Sequence, residues 1–233
     1  MMLEADKLCA WYGAAQILFD VSFDVGRSEV VALMGRNGAG KSTTLKAIMG
    51  LVGRRAGGVR FDGTELLRLE TFQIARLGLG WVPEDRRIFT ELTVLENLDV
   101  GRRRANGGPA WAPERLFELF PNLAEMRQRP GGRMSGGEQQ MLTVARTLMG
   151  NPRMVLFDEP SEGVAPLVVE RMAEAIVEMK QLGLSVLLSE QNLHFAALVS
   201  DRVYILEKGH ISWSGAMREL EASAQVQRQF LGV

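Results

Sequence analysis

Cysteine, net charge and long apolar runs are all scarce in this chain. Cys9 is its one cysteine, so no disulfide can form within the chain, and a lone thiol suits a reducing compartment. The 27 basic and 28 acidic side chains nearly cancel, leaving a formal net charge of −1. That balance supplies neither the basic footprint of a nucleic-acid binder nor a polybasic membrane patch. The longest apolar runs, such as Val30–Met34 and Met154–Phe157, are strand-length, far below the ~20 residues of a membrane-spanning helix. The opening MMLEADKLCAWYG is charged and lacks the apolar stretch of a signal peptide. Work at a membrane is therefore expected of a docked subunit. No internal repeat or low-complexity tail stands out. What is present is ordinary globular material: 233 residues, 46% hydrophobic and 24% charged, enough for one large domain with a buried core.

Along the chain, Phe19–Val25 alternates as a half-exposed strand does, and Gly26-Arg27-Ser28 supplies a turn. Val30–Met34 is continuously apolar, as in a strand buried on both faces. Lys41–Met49 has helical spacing, with Leu45, Ile48 and Met49 on one side. Gly57-Gly58 and Asp62-Gly63 flank Val59–Phe61, which predicts a small hairpin. Residues 90–150 change character: strand signals vanish, Arg102–Arg104 reads as a solvated helix end, and Asn106-Gly107-Gly108-Pro109 reads as a flexible loop. Pro113–Phe120 and Glu138–Met149 look helical. Strands then return at Met154–Phe157, Leu184–Leu188 and Val203–Leu206, with helices at Leu167–Leu182 and Leu193–Leu198 between them. Residues 215–231 read as short terminal helices packed through Leu220, Val226 and Phe230. Such interleaving predicts a largely parallel sheet covered on both faces, with a mostly helical insertion.

Residues 35–43 read Gly-Arg-Asn-Gly-Ala-Gly-Lys-Ser-Thr, which fits G-x-x-x-x-G-K-[ST] between a predicted strand and a predicted helix. Gly35, Gly38 and Gly40 let the backbone wrap closely around phosphate. The N–H groups of Arg36, Asn37, Ala39 and Thr43 and the positive helix end face the anion. Lys41 adds a point charge for the β- and γ-phosphates, and Ser42 can ligate Mg²⁺. Kinases, GTPases, helicases and transport ATPases all share such a loop. Met154–Phe157 ends in Asp158-Glu159-Pro160. A carboxylate ending a central strand lies where ligands bind in such sheets. Asp158 is placed to hold Mg²⁺, and Glu159 to orient a water for attack on the γ-phosphate. Two adjacent acids repel unless a cation is near, which favours the metal reading.

Met134-Ser135-Gly136-Gly137-Glu138-Gln139-Gln140 resembles the LSGGQ signature of ATP-binding-cassette (ABC) ATPases, with Met134 for leucine and Glu138 for the usual glutamine. With the phosphate loop and the carboxylate pair in this order, the resemblance spans essentially the whole chain. Ser135 and Gly137 sit where a helix should begin, so hydroxyl and N–H groups can bind phosphate. In the family this loop acts on ATP held by a second subunit. The resemblance also places Tyr12, with Trp11 as rival, against adenine; Glu84 where a glutamine is usual; Ala165 where an aspartate is usual; and Gln191 where a histidine normally contacts the γ-phosphate. An amide donates a hydrogen bond but does not titrate near neutral pH. His194, three residues on, reads as a surface or structural histidine.

Four local stretches, Val82–Phe89, Leu92–Leu98, the Ser-Gly-Gly-Glu-Gln-Gln-Met run and Ser189–Asn192, are similar to the second ATPase subunit of branched-chain amino acid importers. The resemblance implies an α/β P-loop NTPase (RecA-like) core with a mixed, largely parallel sheet, an N-terminal antiparallel β subdomain and an inserted α-helical subdomain. Residues 1–88 and 151–233 are expected to form the nucleotide-binding core, and 89–150 the helical signature subdomain. It further implies ATP and Mg²⁺ as cofactors, a second ATPase subunit, permease subunits that dock near residues 84–98, an indirect link to a solute-binding protein, and a peripheral place on the cytoplasmic membrane face. Nucleic acid is not an expected partner. A urea or short-chain amide importer, a lipid exporter and a soluble ABC ATPase without a permease remain open alternatives.

Overall fold

The computed structural model describes residues 1–104 and 110–232; the loop expected at Gly107-Gly108 lies outside them. The chain opens with β1 (Leu3–Tyr12), β2 (Ala15–Val25), β3 (Val30–Met34), α1 (Lys41–Ile48), β4 (Arg54–Phe61) and β5 (Thr64–Glu65). Next come α2 (Thr71–Arg76), β6 (Leu79–Val82), α3 (Val94–Gly101), α4 (Pro113–Leu119), α5 (Pro121–Glu125) and α6 (Gly136–Leu148). The last part holds β7 (Met154–Asp158), α7 (Pro166–Gln181), β8 (Ser185–Glu190), α8 (Leu193–Val199), β9 (Arg202–Glu207), β10 (His210–Ala216) and α9 (Met217–Ala222). Irregular helical turns follow over 224–231.

Two sheets organise these elements. β2-β1-β4-β5 form an antiparallel sheet, and β10-β9-β3-β8-β7-β6 form the second. In the second, β6, β7, β8, β3 and β9 run parallel and β10 closes the edge antiparallel. Every residue of β3, β7 and β8 is buried, which explains their continuous apolar runs. The period of two still operates, because the two faces serve different cores. Val155, Phe157, Val186 and Leu188 pack with α6 and α7. Met154, Leu156 and Leu187 pack with α1 and the antiparallel sheet.

Several sequence expectations need correction. Gly57 and Gly58 do not flank a strand but lie inside β4. β1 is bulged there, with Lys7 at φ 47°, and a Cβ on Gly57 would lie 2.2 Å from the Lys7 carbonyl oxygen. The glycine thus admits a close strand crossing rather than a turn. Asp62-Gly63 does turn β4 into β5. β1, α2, β6 and β10 carry signals too short or irregular to stand out, and Gly215 and Ala216 finish β10 rather than start a helix. The helix expected from Glu138 begins at Gly136, because Ser135 caps it. Leu220 is buried as expected, and Val226 and Phe230 pack beside it.

Gly209 joins the layers. Its N–H donates to the Ala39 carbonyl, and its carbonyl accepts from Phe19 N–H, both at 2.9 Å. At φ 81°, a Cβ there would lie 2.0 Å from the Ile17 carbonyl oxygen. Gly209→Ala is therefore expected to cost about 1–3 kcal/mol of stability. The readout is a lower urea midpoint at unchanged m-value; a parental midpoint would show that the contact is dispensable.

Candidate active site

Parallel register builds the site. Met34 pairs with Glu190, and Asp158 with Ser189. The carboxyl ends of β3, β8 and β7 therefore lie side by side, and Gly35, Gln191 and Asp158 meet although over 100 residues of sequence separate the first from the others. This edge is where open α/β sheets bind ligands.

The phosphate loop leaves β3 through Gly35 (φ 151°), where a Cβ would lie 2.2 Å from the Leu206 carbonyl oxygen. Gly38 (φ 79°) and Gly40 (φ 112°) also hold left-handed backbone. A Cβ on Gly38 would meet nothing within 4 Å, so that side of the loop is open. α1 begins with no side-chain cap and no acid in its first turn, which leaves its first N–H groups and its positive end available to an anion. Lys41 is only 3% exposed. Its Nζ donates to the Gly35 carbonyl at 2.9 Å and stands 3.0 Å from Glu159 Oε1.

Ser42 Oγ donates to Asp158 Oδ1 at 2.7 Å. Burial pushes the Asp158 carboxyl up, resisted by that hydrogen bond. The Ser189 hydroxyl, on the neighbouring strand position, is buried beside that carboxyl. A divalent cation fits these residues: a hydroxyl and a carboxylate in contact, a carboxylate whose charge is poorly solvated, and a second hydroxyl beside it. Among the described residues no group of three or more His, Cys, Asp or Glu side chains forms a metal cage. Mg²⁺ needs none, since it takes one or two protein ligands and completes its shell with phosphate and water.

Glu159 is held at φ 47° and is 8% exposed, with its N–H on the Ser189 carbonyl. A non-glycine residue in that region is strained and re-aims its side chain. Burial opposes its charge, but a hydrogen bond with Glu162 and the Lys41 ammonium outweigh burial and hold its carboxyl below the usual range. Glu162 carries the complement: chiefly through that hydrogen bond, its own carboxyl is pushed up to about 7. Gln191 Nε2 lies 3.5 Å from Glu159 and 3.4 Å from Glu162. These groups can receive a phosphate chain, hold a cation and take a proton from a water.

The sequence reading missed Glu190 and Glu162. Glu190 is 1% exposed and accepts from the N–H groups of Ser161, Gln191 and Asn192. It ties the loop after Glu159 to the loop carrying Gln191. Burial pushes its carboxyl up, against the pull of those donors. A charged residue ending a buried strand, as Asp158 does, was the available signal.

The remaining expected residues lie around this centre. Tyr12 is exposed at the end of β1, whereas the Trp11 ring is covered by the Arg54 guanidinium at 4.5 Å. Glu84 is exposed, and its charge reaches Glu162. His194 is exposed on α8. Ser135 and Glu138 form a reciprocal cap: Ser135 N–H donates to Glu138 at 2.7 Å, and Ser135 Oγ accepts from Glu138 N–H at 3.4 Å. A Cβ on Gly136 would lie 2.7 Å from Arg86 Nη1, and one on Gly137 2.6 Å from Val168. Among the described residues no hydrogen bond or ion pair links residues 135–138 to the phosphate loop.

A profile of the ABC transporter family matches residues 18–162. BraG of Pseudomonas aeruginosa, a high-affinity branched-chain amino acid transport ATP-binding protein, is 40% identical, with 99% of this chain and 100% of BraG aligned. LptB of Haemophilus influenzae, a lipopolysaccharide export system ATP-binding protein, is 35% identical over 99% of this chain and 97% of its own length. A solved ATP-binding subunit of an ABC transporter superposes with a TM-score of 0.84 at 30% identity, covering 100% of this chain and 97% of that one.

The Glu162 shift makes stability depend on pH. A carboxyl raised from its ordinary 4.5 to about 7 in the folded state contributes stability that is complete below pH 4.5 and lost as pH rises through about 7. Glu162→Gln removes this loss. The variant is expected to melt at the parental temperature near pH 4.5 and above it at pH 8. Equal melting temperatures at both pH values would contradict the Glu159–Glu162 contact.

Proposed function

This chain belongs to the ABC transporter family, and we propose that it is the ATP-hydrolysing subunit of an importer for branched-chain amino acids. It is an ATP-binding ATPase; the importer and substrate assignment rests on its full-length similarity to BraG. In this reading it sits on the cytoplasmic face of a membrane, held there by permease subunits. No helix among the described residues is long and apolar enough to cross a bilayer.

The proposed mechanism starts from the contacts described above. Tyr12 stacks on adenine. The Gly35–Thr43 loop wraps the phosphates, whose negative charge draws Lys41 away from Glu159, its present partner at 3.0 Å. Ser42 and Asp158 would hold Mg²⁺, which would supply positive charge beside the phosphates. Glu159, freed from Lys41 and still a carboxylate, accepts a proton from the attacking water. Gln191 keeps Glu159 oriented and donates towards the γ-phosphate without titrating, and Glu84 supports the metal side of the site.

Among the described residues Ser135, Gly136, Gly137 and Glu138 form no hydrogen bond or ion pair with their own phosphate loop, which supports their assignment to the nucleotide of a second ATPase subunit, either a copy or a paralogue. Closure of that pair moves the permease, which in turn receives its substrate from a solute-binding protein. We assign the permease helix to a groove of about 330 Å³ with Trp81, Phe89, Val100 and Arg146 in its wall. Phe89 and Val100 are about half exposed. Trp81 Nε1 and Arg146 Nη1 are buried without hydrogen-bond partners.

The 35% identity with LptB supports a second reading, a lipid-exporter subunit. Reconstitution with permease subunits of each transporter type separates the two. Stimulation of ATPase activity by a binding protein loaded with leucine or valine is expected; stimulation by a lipid alone overturns the importer assignment. For the chemistry, Glu159→Gln is expected to retain ATP-dependent dimerisation while turnover falls by about 10²–10⁴-fold. Lys41→Ala is expected to weaken ATP binding by about 10–100-fold, the value of one charge-assisted contact. Parental turnover in the first variant removes Glu159 as base, and parental affinity in the second removes Lys41 as phosphate ligand.

A further inference from the structure

A basic surface lies away from the nucleotide edge. β6, β7 and β8 start level with one another, Leu79 beside Met154 and Met154 beside Ser185. Just before these starts, Gly78, Arg153 and Leu184 wall a cavity of about 430 Å³, within the size range of small-ligand sites. It is the amino edge of the sheet, separated from the phosphate loop by the strand length, on the order of 15 Å.

Six arginines line it: Arg27, Arg76, Arg103, Arg104, Arg115 and Arg153. None of its described lining residues is acidic. Asp62, just outside, pairs with both Arg27 and Arg153, which leaves a surplus of five positive charges. Among the described residues Arg76, Arg103, Arg104 and Arg115 form no ion pair. This is a local anomaly in a chain whose net charge is −1.

A run of arginines on one helix face would be a solvated surface. These come from five separate segments: the turn before β3, the end of α2, the exit of α3, α4 and the approach to β7. The walls are also fastened. Asn151 donates to the Arg103 carbonyl and accepts from Trp111 N–H, each at 2.7 Å. Trp111 is buried, and the Arg115 guanidinium lies 4.7 Å from its ring. Arg76 lies over the Phe72 ring at 5.2 Å. Arg153 lies over the Phe61 ring at 5.7 Å, so three of the forks are held on aromatic faces, a pre-organisation that lowers the entropy cost of binding.

We propose that this cavity binds a small anion carrying several phosphoryl groups. Guanidinium forks match phosphate oxygens bidentately, and a surplus of five charges suits a multiply charged ligand better than a monoanion. Held by Arg76 and Arg153 on one side and Arg103 and Arg115 on the other, the anion ties the helical segment after α3 to the α/β layer. The site is independent of the transport assignment.

The test is calorimetric titration of inorganic tripolyphosphate into the full chain whose phosphate loop is already saturated with ADP and Mg²⁺. One further equivalent is expected to bind, more weakly as salt rises. The Arg103→Ala/Arg115→Ala variant is expected to lose at least about tenfold in tripolyphosphate affinity while ADP affinity stays parental. If that variant does not fold, Arg76→Gln/Arg153→Gln is measured in the same way. Flotation with phosphatidylglycerol vesicles identifies the source of the phosphate: arginine-dependent vesicle binding that tripolyphosphate competes away assigns a lipid headgroup, and its absence beside calorimetric binding assigns a free phosphate. No titration in the ADP-loaded chain, or parental affinity in both variants, overturns the proposal.

Discussion

Lys41 and Glu159 meet at 3.0 Å inside the protein, one at the end of a glycine loop and the other just past a buried strand. A buried ion pair pays heavily in desolvation and stabilises little by itself. It is tolerated here because both partners have further contacts: Lys41 the Gly35 carbonyl, Glu159 the Glu162 carboxyl. The pair is also poised for exchange. A phosphate chain competes for the ammonium, and every group that loses a partner by that exchange is one the chemistry needs.

The scaffold exists to bring these two residues together. Strands β3, β8 and β7 are apolar on both faces, so they can lie only in the middle of a covered sheet. Their parallel register then aligns three loops that come from distant parts of the chain. Glycines complete the arrangement where backbones come too close for a side chain, at Gly35 against Leu206 and at Gly209 against Ile17. The acidic cluster on the far side of Glu159 is linked through Glu190, whose carboxylate holds N–H groups from two loops at once. A shift in either loop is therefore felt by the other.

The loop Gly35–Thr43, the Asp158-Glu159 pair and the Ser135–Glu138 turn were legible in the amino-acid order because each is local: a few consecutive residues whose chemistry depends on spacing alone. The parallel sheet was legible because continuous apolar runs alternate with helical periodicity. Gly57-Gly58 misled, since two glycines mark a turn and a close strand crossing equally well. β1 and β10 stayed hidden, because bulges and half-exposed faces blur a period of two. Glu190 carried the signal of a charged residue ending an apolar strand, as Asp158 does, whereas Glu162 was unreadable as a site residue, because its importance lies in what stands opposite it.

By itself, then, the sequence determined which groups can bind phosphate, hold a cation and move a proton, since these are properties of residue type and short spacing. Only the tertiary structure decided that Lys41 is paired with Glu159, that Glu162 stands beside it, that Tyr12 and not Trp11 has an open ring, and that six scattered arginines face one cavity. Each of these is a distance between residues far apart in the chain, set by strand register and core packing, and no pattern of neighbouring residues encodes such a distance.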